Sequence, residues 1–158
     1  RLAPSTEPVS SSTILTISLS RAISSKTVPP AATASGEVAE GDLHETFSTA
    51  RLAELRAAGA PVFVDFTADW CLVCKVNERV AIDTEATQEA FAEAGVVTLT
   101  GDWTRQDPEI TAYLADHGRN SIPFYQFYAP GEAAEVLPQV LTPQVLIGKA
   151  EEVGEAAS

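Results

Sequence analysis

The stretch Trp70-Cys71-Leu72-Val73-Cys74-Lys75, directly after the apolar run Pro61–Phe66, decides the fold. Its two cysteines are the only ones in the chain, and they lie three residues apart where a predicted strand gives way to a predicted helix. A thiol in the first turn of a helix has its thiolate stabilised by the helix dipole and by free backbone N–H groups. A second thiol one turn later can attack a mixed disulfide formed at the first. The spacing predicts thiol–disulfide exchange, with Cys71 as nucleophile and Cys74 as resolving thiol.

The residues next to this motif predict a buried strand followed by a helix. Val62–Thr67 is apolar on both faces apart from one carboxylate, which is typical of a central strand covered by helices on both sides. A helix follows from Cys71, and Val73, Val76 and Val80 are spaced to face the core.

Strands and helices alternate along the rest of the chain from about residue 41. The other predicted elements are a helix after Ser48 that carries Leu52 and Leu55 and precedes Gly59, a helix over 85–94 that stops at Gly95, a strand over 96–100, a helix opened by Asp107-Pro108 and ended by Gly118, a strand over 122–128, a short strand near Val136, and a helix opened by Thr142-Pro143. This order predicts an α/β fold with a central mixed β-sheet flanked by helices.

The first 40 residues differ in composition from the remainder, and we expect two parts, a tail or linker over 1–40 and a domain over 41–158. Ser, Thr, Ala and Pro dominate the tail, so we expect it to be disordered, although Thr13–Leu19 has the pattern of a strand. The chain has 158 residues and a formal charge of −12, which argues against nucleic acid as a partner. Because it begins at Arg1 rather than Met, we expect a processed product or a piece of a longer protein.

Several motifs resemble the thioredoxin family. VDFTADWCLVCK (64–75) looks like a thioredoxin active-site segment, and Ser121-Ile122-Pro123 looks like its cis-proline loop. The ADWCxxCK form, Glu78 four residues after Cys74, and GDWT (101–104) are more similar to the C-terminal periplasmic domain of DsbD-type membrane proteins. GDWTRQDPEITAYL (101–114) and LPQVLT (137–142) look most like the ScsB branch, which is associated with copper tolerance.

The resemblance implies a thioredoxin fold and a place in an electron-transfer chain. Such domains are reduced by the membrane-embedded part of the same inner-membrane protein, and they then reduce periplasmic thioredoxin-like or immunoglobulin-like domains. It implies no cofactor other than a redox-active Cys71–Cys74 disulfide. The alternatives are a free-standing periplasmic thioredoxin-like reductase and a Cu(I)-binding module, since soft thiolates suit Cu(I).

Two acidic residues are candidates for a role beside the thiols. Asp65 interrupts an apolar strand six residues before Cys71, and the resemblance gives it the role of a buried proton-handling carboxylate. Glu78 lies one helical turn after Cys74 and can reach the same region. Together they would disfavour the thiolate by repulsion and desolvation. The alternatives are an Asp at a solvated strand edge and a Glu on a solvated helix face.

The other candidate residues belong to the partner-binding side of the site. The resemblance implies that Pro123 follows a cis bond opposite the cysteines, with Ile122 beside it, where a substrate strand would pair; the alternative is an ordinary trans proline at a strand start. Trp70 is expected beside the thiols, and Trp103 would either line the site or fill the core. We expect no metal site, because only His44 and His117 could join the cysteines and neither has zinc-ligand spacing.

Overall fold

A computed structural model of the protein describes residues 43–158. The predictions for the tail over 1–40, including the strand pattern of Thr13–Leu19, lie outside the described residues. Within the described part no helix combines the length and the apolar character needed to cross a bilayer.

Among residues 43–158, five strands and five helices follow one another, largely in alternation. The strands are β1 (His44–Thr46), β2 (Val62–Thr67), β3 (Val97–Asp102), β4 (Phe124–Tyr128) and β5 (Glu135–Val136). The helices are α1 (Thr49–Ala57), α2 (Leu72–Asn77), α3 (Glu85–Ala94), α4 (Pro108–Asp116) and α5 (Pro143–Ala157), and α2 continues into a π-helical segment, Glu78–Ile82.

Local sequence signals account for most of these boundaries. The Ser48 hydroxyl accepts a hydrogen bond from the backbone N–H of Arg51 and caps α1, a contact that typically stabilises a helix by about 1 kcal/mol. Asp107 caps α4 in the same way, with Pro108 in the first turn. Gly95 ends α3 with a φ of 67°, a left-handed conformation that costs glycine little.

The sheet is mixed, with strand order β1-β3-β2-β4-β5. Strand β3 runs parallel to both β1 and β2, whereas β4 runs antiparallel to β2 and to β5. The predicted mixed sheet is therefore confirmed, and β2 is the central strand, buried along its whole length. The short edge strand β1 was not predicted.

Helices cover both faces of the sheet. Side chains of α1 and α4 pack with Val64 and Phe66 of β2 on one face. On the other face, α3, α5 and the π-helical segment pack with Phe63 of β2 and Tyr125 of β4. Alternate residues of β2 point to opposite faces, so Asp65 lies on the side of the sheet that α2 covers.

The orientation of α2 differs from the prediction. Val73, Val76 and Val80 are each about half exposed, whereas Cys74 and Asn77 are buried. Both sets recur with helical spacing, so periodicity alone does not choose between the two faces. The helix turns Cys74 and Asn77 toward the sheet, because the sulfur packs against β2 and the Asn77 amide donates a hydrogen bond to Tyr125 of β4. The valines remain on the outer side.

Candidate functional site

The centre of the site is a disulfide between Cys71 and Cys74 at the start of α2. Cys71 is the N-cap residue, and its Sγ accepts the backbone N–H of Cys74 at 3.3 Å. Cys71 is 7% exposed and Cys74 is fully buried, with its Sγ 3.9 Å from the carbonyl oxygen of Phe66. Of the two cysteines, only Cys71 keeps any solvent-exposed surface, so a partner can approach the disulfide only from the Cys71 side.

The loop before β4 lies against the disulfide. The Ile122–Pro123 bond is cis, as the sequence predicted. Ile122 packs on a small cluster formed by Ala68, Cys71 and Cys74, and Pro123 is buried. This loop therefore forms one wall of the site.

Four side chains form an acidic cluster behind the cysteines: Asp65, Thr67, Lys75 and Glu78. The Thr67 hydroxyl donates a short hydrogen bond to Glu78 Oε1. Lys75 Nζ contacts both Glu78 oxygens, at 3.1 and 3.0 Å, and lies 3.5 Å from Thr67 Oγ1. The carboxylate of Glu78 is thus anchored between β2 and α2, and it is not on a freely solvated helix face.

Asp65 is the most strongly perturbed carboxyl group of the acidic cluster. Its side chain is 2% exposed, and among the described residues nothing donates a hydrogen bond to its Oδ1. Burial, reinforced by repulsion from Glu78, raises the pKa of Asp65 to about 7, although Lys75 opposes the shift. A group with this pKa exchanges its proton readily near neutral pH.

The segment 101–104 supports the loop in front of the cysteines. Thr104 Oγ1 accepts the backbone N–H of Asp69 at 2.9 Å, and its carbonyl accepts the indole N–H of Trp70 at 3.2 Å. Asp102 in turn accepts the backbone N–H of Thr104. These contacts fix the direction in which the chain enters α2.

The two tryptophans lie side by side but differ in exposure. Trp70 is 57% exposed, and its ring centre lies 6.2 Å from that of Trp103. Trp103 is 7% exposed, belongs to the core on the α1 and α4 side, and donates its indole N–H to Thr111 Oγ1 at 2.9 Å. Trp103 therefore fills the core and backs Trp70, so that only Trp70 offers a partner a substantial surface.

An apolar surface begins beside Cys71 and continues along α2 and the π-helical segment. It consists of the exposed side chains Trp70, Leu72, Val73, Val76 and Val80. Exposed apolar groups gathered in one place are typical of a surface that another protein covers.

Sequence reasoning missed two polar residues of the site. Asn77 is buried in α2, and its Nδ2 donates to the hydroxyl of Tyr125 at 3.0 Å. Tyr125 pairs with Asp65 in the β2–β4 register and shares its face of the sheet. A signal was present in Asn77 itself, since it lies one turn after Cys74 on the same side of the helix.

Among residues 43–158, no group of three or more His, Cys, Asp or Glu side chains is arranged to hold a metal ion. His44 lies in β1 and contacts Gln88, whereas His117 ends α4, where its Nδ1 lies 2.8 Å from the carbonyl oxygen of Tyr113. The two histidines are thus engaged within separate elements.

Comparison with known proteins places this fold in a family. The pattern of the family described as Thioredoxin-like matches residues 43–130, more than half of the chain. The chain belongs to the thioredoxin-like family. Its match takes in β1 to β4, including the cysteine pair and the cis-proline loop.

Relatives in sequence include thiol:disulfide interchange proteins. The chain is 40% identical over 82 residues to DsbD 1 of Pseudomonas aeruginosa, a match that covers 52% of this chain and 14% of that protein. It is 33% identical over 82 residues to DsbD of Vibrio cholerae, covering 51% and 13%. The chain therefore spans about a seventh of the length of these relatives.

Solved structures with a similar fold include the C-terminal domain of DsbD from Neisseria meningitidis in its oxidised form. That structure has a TM-score of 0.55 and 24% identity, over 68% of this chain and 97% of that domain. Trxlp from Edwardsiella tarda has a TM-score of 0.51 and 27% identity, over 66% and 95%. The predicted thioredoxin fold is confirmed, and the similarity to DsbD supports the predicted thiol–disulfide oxidoreductase chemistry.

Proposed function

We propose that this chain is a protein-disulfide reductase that passes electrons, by dithiol–disulfide exchange, from a membrane-embedded donor domain to partner proteins. The observation that carries the proposal is the Cys71–Cys74 disulfide at the start of a helix, in which only Cys71 keeps any solvent-exposed surface. Exchange requires one cysteine that a partner can approach and one that is protected. The first cysteine attacks the partner disulfide, and the second attacks only after the mixed disulfide has formed.

The reaction balances without any external cofactor. The Cys71 thiolate attacks one sulfur of a partner disulfide, the partner's other sulfur leaves as a thiolate, and a mixed disulfide forms. Cys74 then attacks Cys71 Sγ, which releases the partner as a dithiol and leaves the Cys71–Cys74 disulfide. Two electrons and two protons pass to the partner, and the disulfide itself is the only redox group the reaction needs.

In this proposal the acidic cluster handles the proton of Cys74. The buried thiol must lose a proton before it can attack, and Asp65, buried on the face of β2 that α2 covers, is the candidate acceptor. The raised pKa of Asp65 suits this exchange near neutral pH. Glu78 and Lys75 hold a charged pair beside it that tunes the proton affinity of Asp65.

Partner proteins would dock on the apolar surface that begins beside Cys71. Trp70, Leu72 and Val73 flank Cys71, and Ile122 and Pro123 form the facing wall. We propose thioredoxin-like or immunoglobulin-like periplasmic domains as partners and a periplasmic location within an inner-membrane protein, on the basis of the similarity to DsbD. We also place the chain in the ScsB branch, associated with copper tolerance, on the basis of the 101–114 and 137–142 sequences.

A trapping experiment tests the direction and the roles of the cysteines. The reduced domain should reduce the disulfides of insulin, and Cys71→Ser should abolish that activity. Cys74→Ser should accumulate a mixed disulfide visible on a non-reducing gel, because Cys71 can attack but nothing resolves the product. If Cys71→Ser traps insulin and Cys74→Ser does not, the assigned roles are reversed.

Two alternative functions make different predictions. A free-standing reductase would accept electrons from a dithiol protein in solution and would need no membrane domain. A Cu(I)-binding module would bind one Cu(I) per chain through the two thiolates and would not reduce insulin. Cu(I) binding without insulin reduction would replace the proposal. Reduction by a dithiol protein in solution would change only the electron donor.

A further inference from the structure

Asn77 makes an unusual set of contacts for a residue that takes no part in the exchange itself. Its side chain is 1% exposed and makes three hydrogen bonds: Nδ2 donates to the Tyr125 hydroxyl at 3.0 Å and to the Gln139 carbonyl at 2.7 Å, and Oδ1 accepts the backbone N–H of Leu141 at 3.2 Å. Burying an amide side chain is costly unless such bonds are made, so these contacts hold Asn77 in one place.

The partners of Asn77 come from two segments far along the chain. Tyr125 lies in β4, two residues after Pro123, and Gln139 and Leu141 lie in the stretch between β5 and α5. The amide of Gln139 also reaches back toward the Pro123 carbonyl, at 3.5 Å. Asn77 therefore connects the helix that carries the cysteines to the Pro123 loop in two ways, through Tyr125 in the strand that follows the loop and through the 139–141 stretch, from which Gln139 reaches the Pro123 carbonyl.

We propose that Asn77 is a positioning residue for disulfide exchange, which fixes the separation between the cysteine helix and the Pro123 loop. This inference rests on the proposed function. A partner protein has to contact the cysteine helix and the Pro123 loop at once while its sulfur meets Cys71. A helix that is not held in place would therefore lie at the wrong distance from the loop. Misplacement by about 1 Å can slow a reaction by as much as a hundredfold. A small disulfide contacts Cys71 alone, so its reaction does not depend on the distance between the helix and the loop.

The test compares two oxidants of different size. The rate at which each reduced variant reduces insulin is measured beside its rate with a small aromatic disulfide, at equal concentrations of folded protein. Asn77→Leu removes all three bonds at similar volume. We expect its insulin rate to fall roughly tenfold and its small-disulfide rate to change less than about threefold. Tyr125→Phe, which removes one bond, should show a smaller loss of the same kind.

Tyr113→Phe is the matched control, since Tyr113 is also buried and hydrogen-bonded but lies on the other face of the sheet. It should leave the ratio of the two rates unchanged. An unchanged ratio of the two rates in Asn77→Leu, with or without a parallel fall of both, would overturn the inference. The same selective loss in Tyr113→Phe would also overturn it. If Asn77→Leu does not fold, Tyr125→Phe decides by the same ratio. Failure of the wild type to reduce insulin would instead reject the proposed function.

Discussion

Two buried polar clusters on opposite faces of the sheet have opposite characters. On the α1 and α4 face, Tyr113, Gln126 and Tyr128 form a neutral cluster, in which the Tyr113 hydroxyl lies 2.5 Å from both Gln126 Oε1 and the Tyr128 hydroxyl. On the α2 face, the acidic cluster of Asp65, Thr67, Lys75 and Glu78 lies beside the disulfide. Each cluster contains one buried atom without a hydrogen-bond partner among the described residues, Gln126 Nε2 and Asp65 Oδ1.

The two clusters differ in how they can lower the free-energy cost of burying a polar atom that has no hydrogen-bond partner. An amide has no second protonation state, so Gln126 bears a fixed cost. A carboxyl group can take up a proton, and Asp65 thereby couples the stability of the fold to pH. We therefore expect the neutral cluster to serve stability alone, and in the proposed mechanism the acidic cluster supplies the group that takes up and releases a proton during exchange.

The largest expected effect is on the pH dependence of stability. The pKa of Asp65 is raised in the folded protein from 3.8 to about 7, so the native state holds this proton more tightly than the unfolded chain does. The contribution of Asp65 to stability should therefore decline as the pH rises from about 4 to about 7, by up to several kcal/mol. Asp65→Asn should remove this decline, as measured by urea unfolding of the oxidised domain across that range.

A suitable control for this experiment is Asp102→Asn. Hydrogen bonds from Thr104 lower the pKa of Asp102, so its contribution has the opposite sign and is lost as the pH falls. If wild type and Asp65→Asn differ by the same free energy at every pH, Asp65 does not titrate as proposed, and the distinction between the two clusters fails.

The next effect concerns packing on the face of the neutral cluster. A Cβ added to Gly101 would lie 2.5 Å from the Phe66 ring and 3.1 Å from Ile110, so Gly101→Ala should destabilise the domain by about 1–3 kcal/mol. Gly148→Ala is the control, since its Cβ would meet nothing within 4 Å and alanine favours the helix. Equal stability of the Gly101 variant and wild type would show that this face has room to adjust.

A smaller loss is expected when the neutral cluster loses one hydroxyl group. Tyr113→Phe removes the donor to Gln126, and it should cost about 1–2 kcal/mol in unfolding free energy. Burial raises the pKa of Tyr113, so the phenol is neutral throughout the working range and the cost should be the same at pH 5 and pH 8. A pH-dependent cost would contradict the assignment of a purely structural role.

The smallest effect should come from Glu78. Removing its charge lessens the repulsion felt by a thiolate at the cysteine pair, so Glu78→Gln should shift the pH midpoint of Cys71 alkylation lower, by no more than about one unit. Iodoacetamide labelling of the reduced domain followed by mass spectrometry measures this. Glu89→Gln on α3 serves as a remote control. An unchanged profile in Glu78→Gln would make Glu78 a structural partner of Lys75 and Thr67 only.

The sequence alone determined the parts of this protein that depend on local chemistry. The caps at Ser48 and Asp107, the stop at Gly95 and the continuous apolar run of β2 are properties of a few adjacent residues, so they predicted the helices and the central strand correctly. The cysteine pair likewise requires no distant partner. Its three-residue spacing brings the sulfurs within bonding distance once a helix forms.

Tertiary structure decided what depends on the choice between two equivalent faces or on distant neighbours. The valines of α2 and its π-helical extension have the same period as the buried residues of α2. Only contact with the sheet placed Cys74 and Asn77 inside and Val73, Val76 and Val80 outside. The partners of Asn77 lie 48 to 64 residues away. No local pattern encodes such contacts, because they exist only after the strands have brought β4 and the 137–141 stretch under the helix.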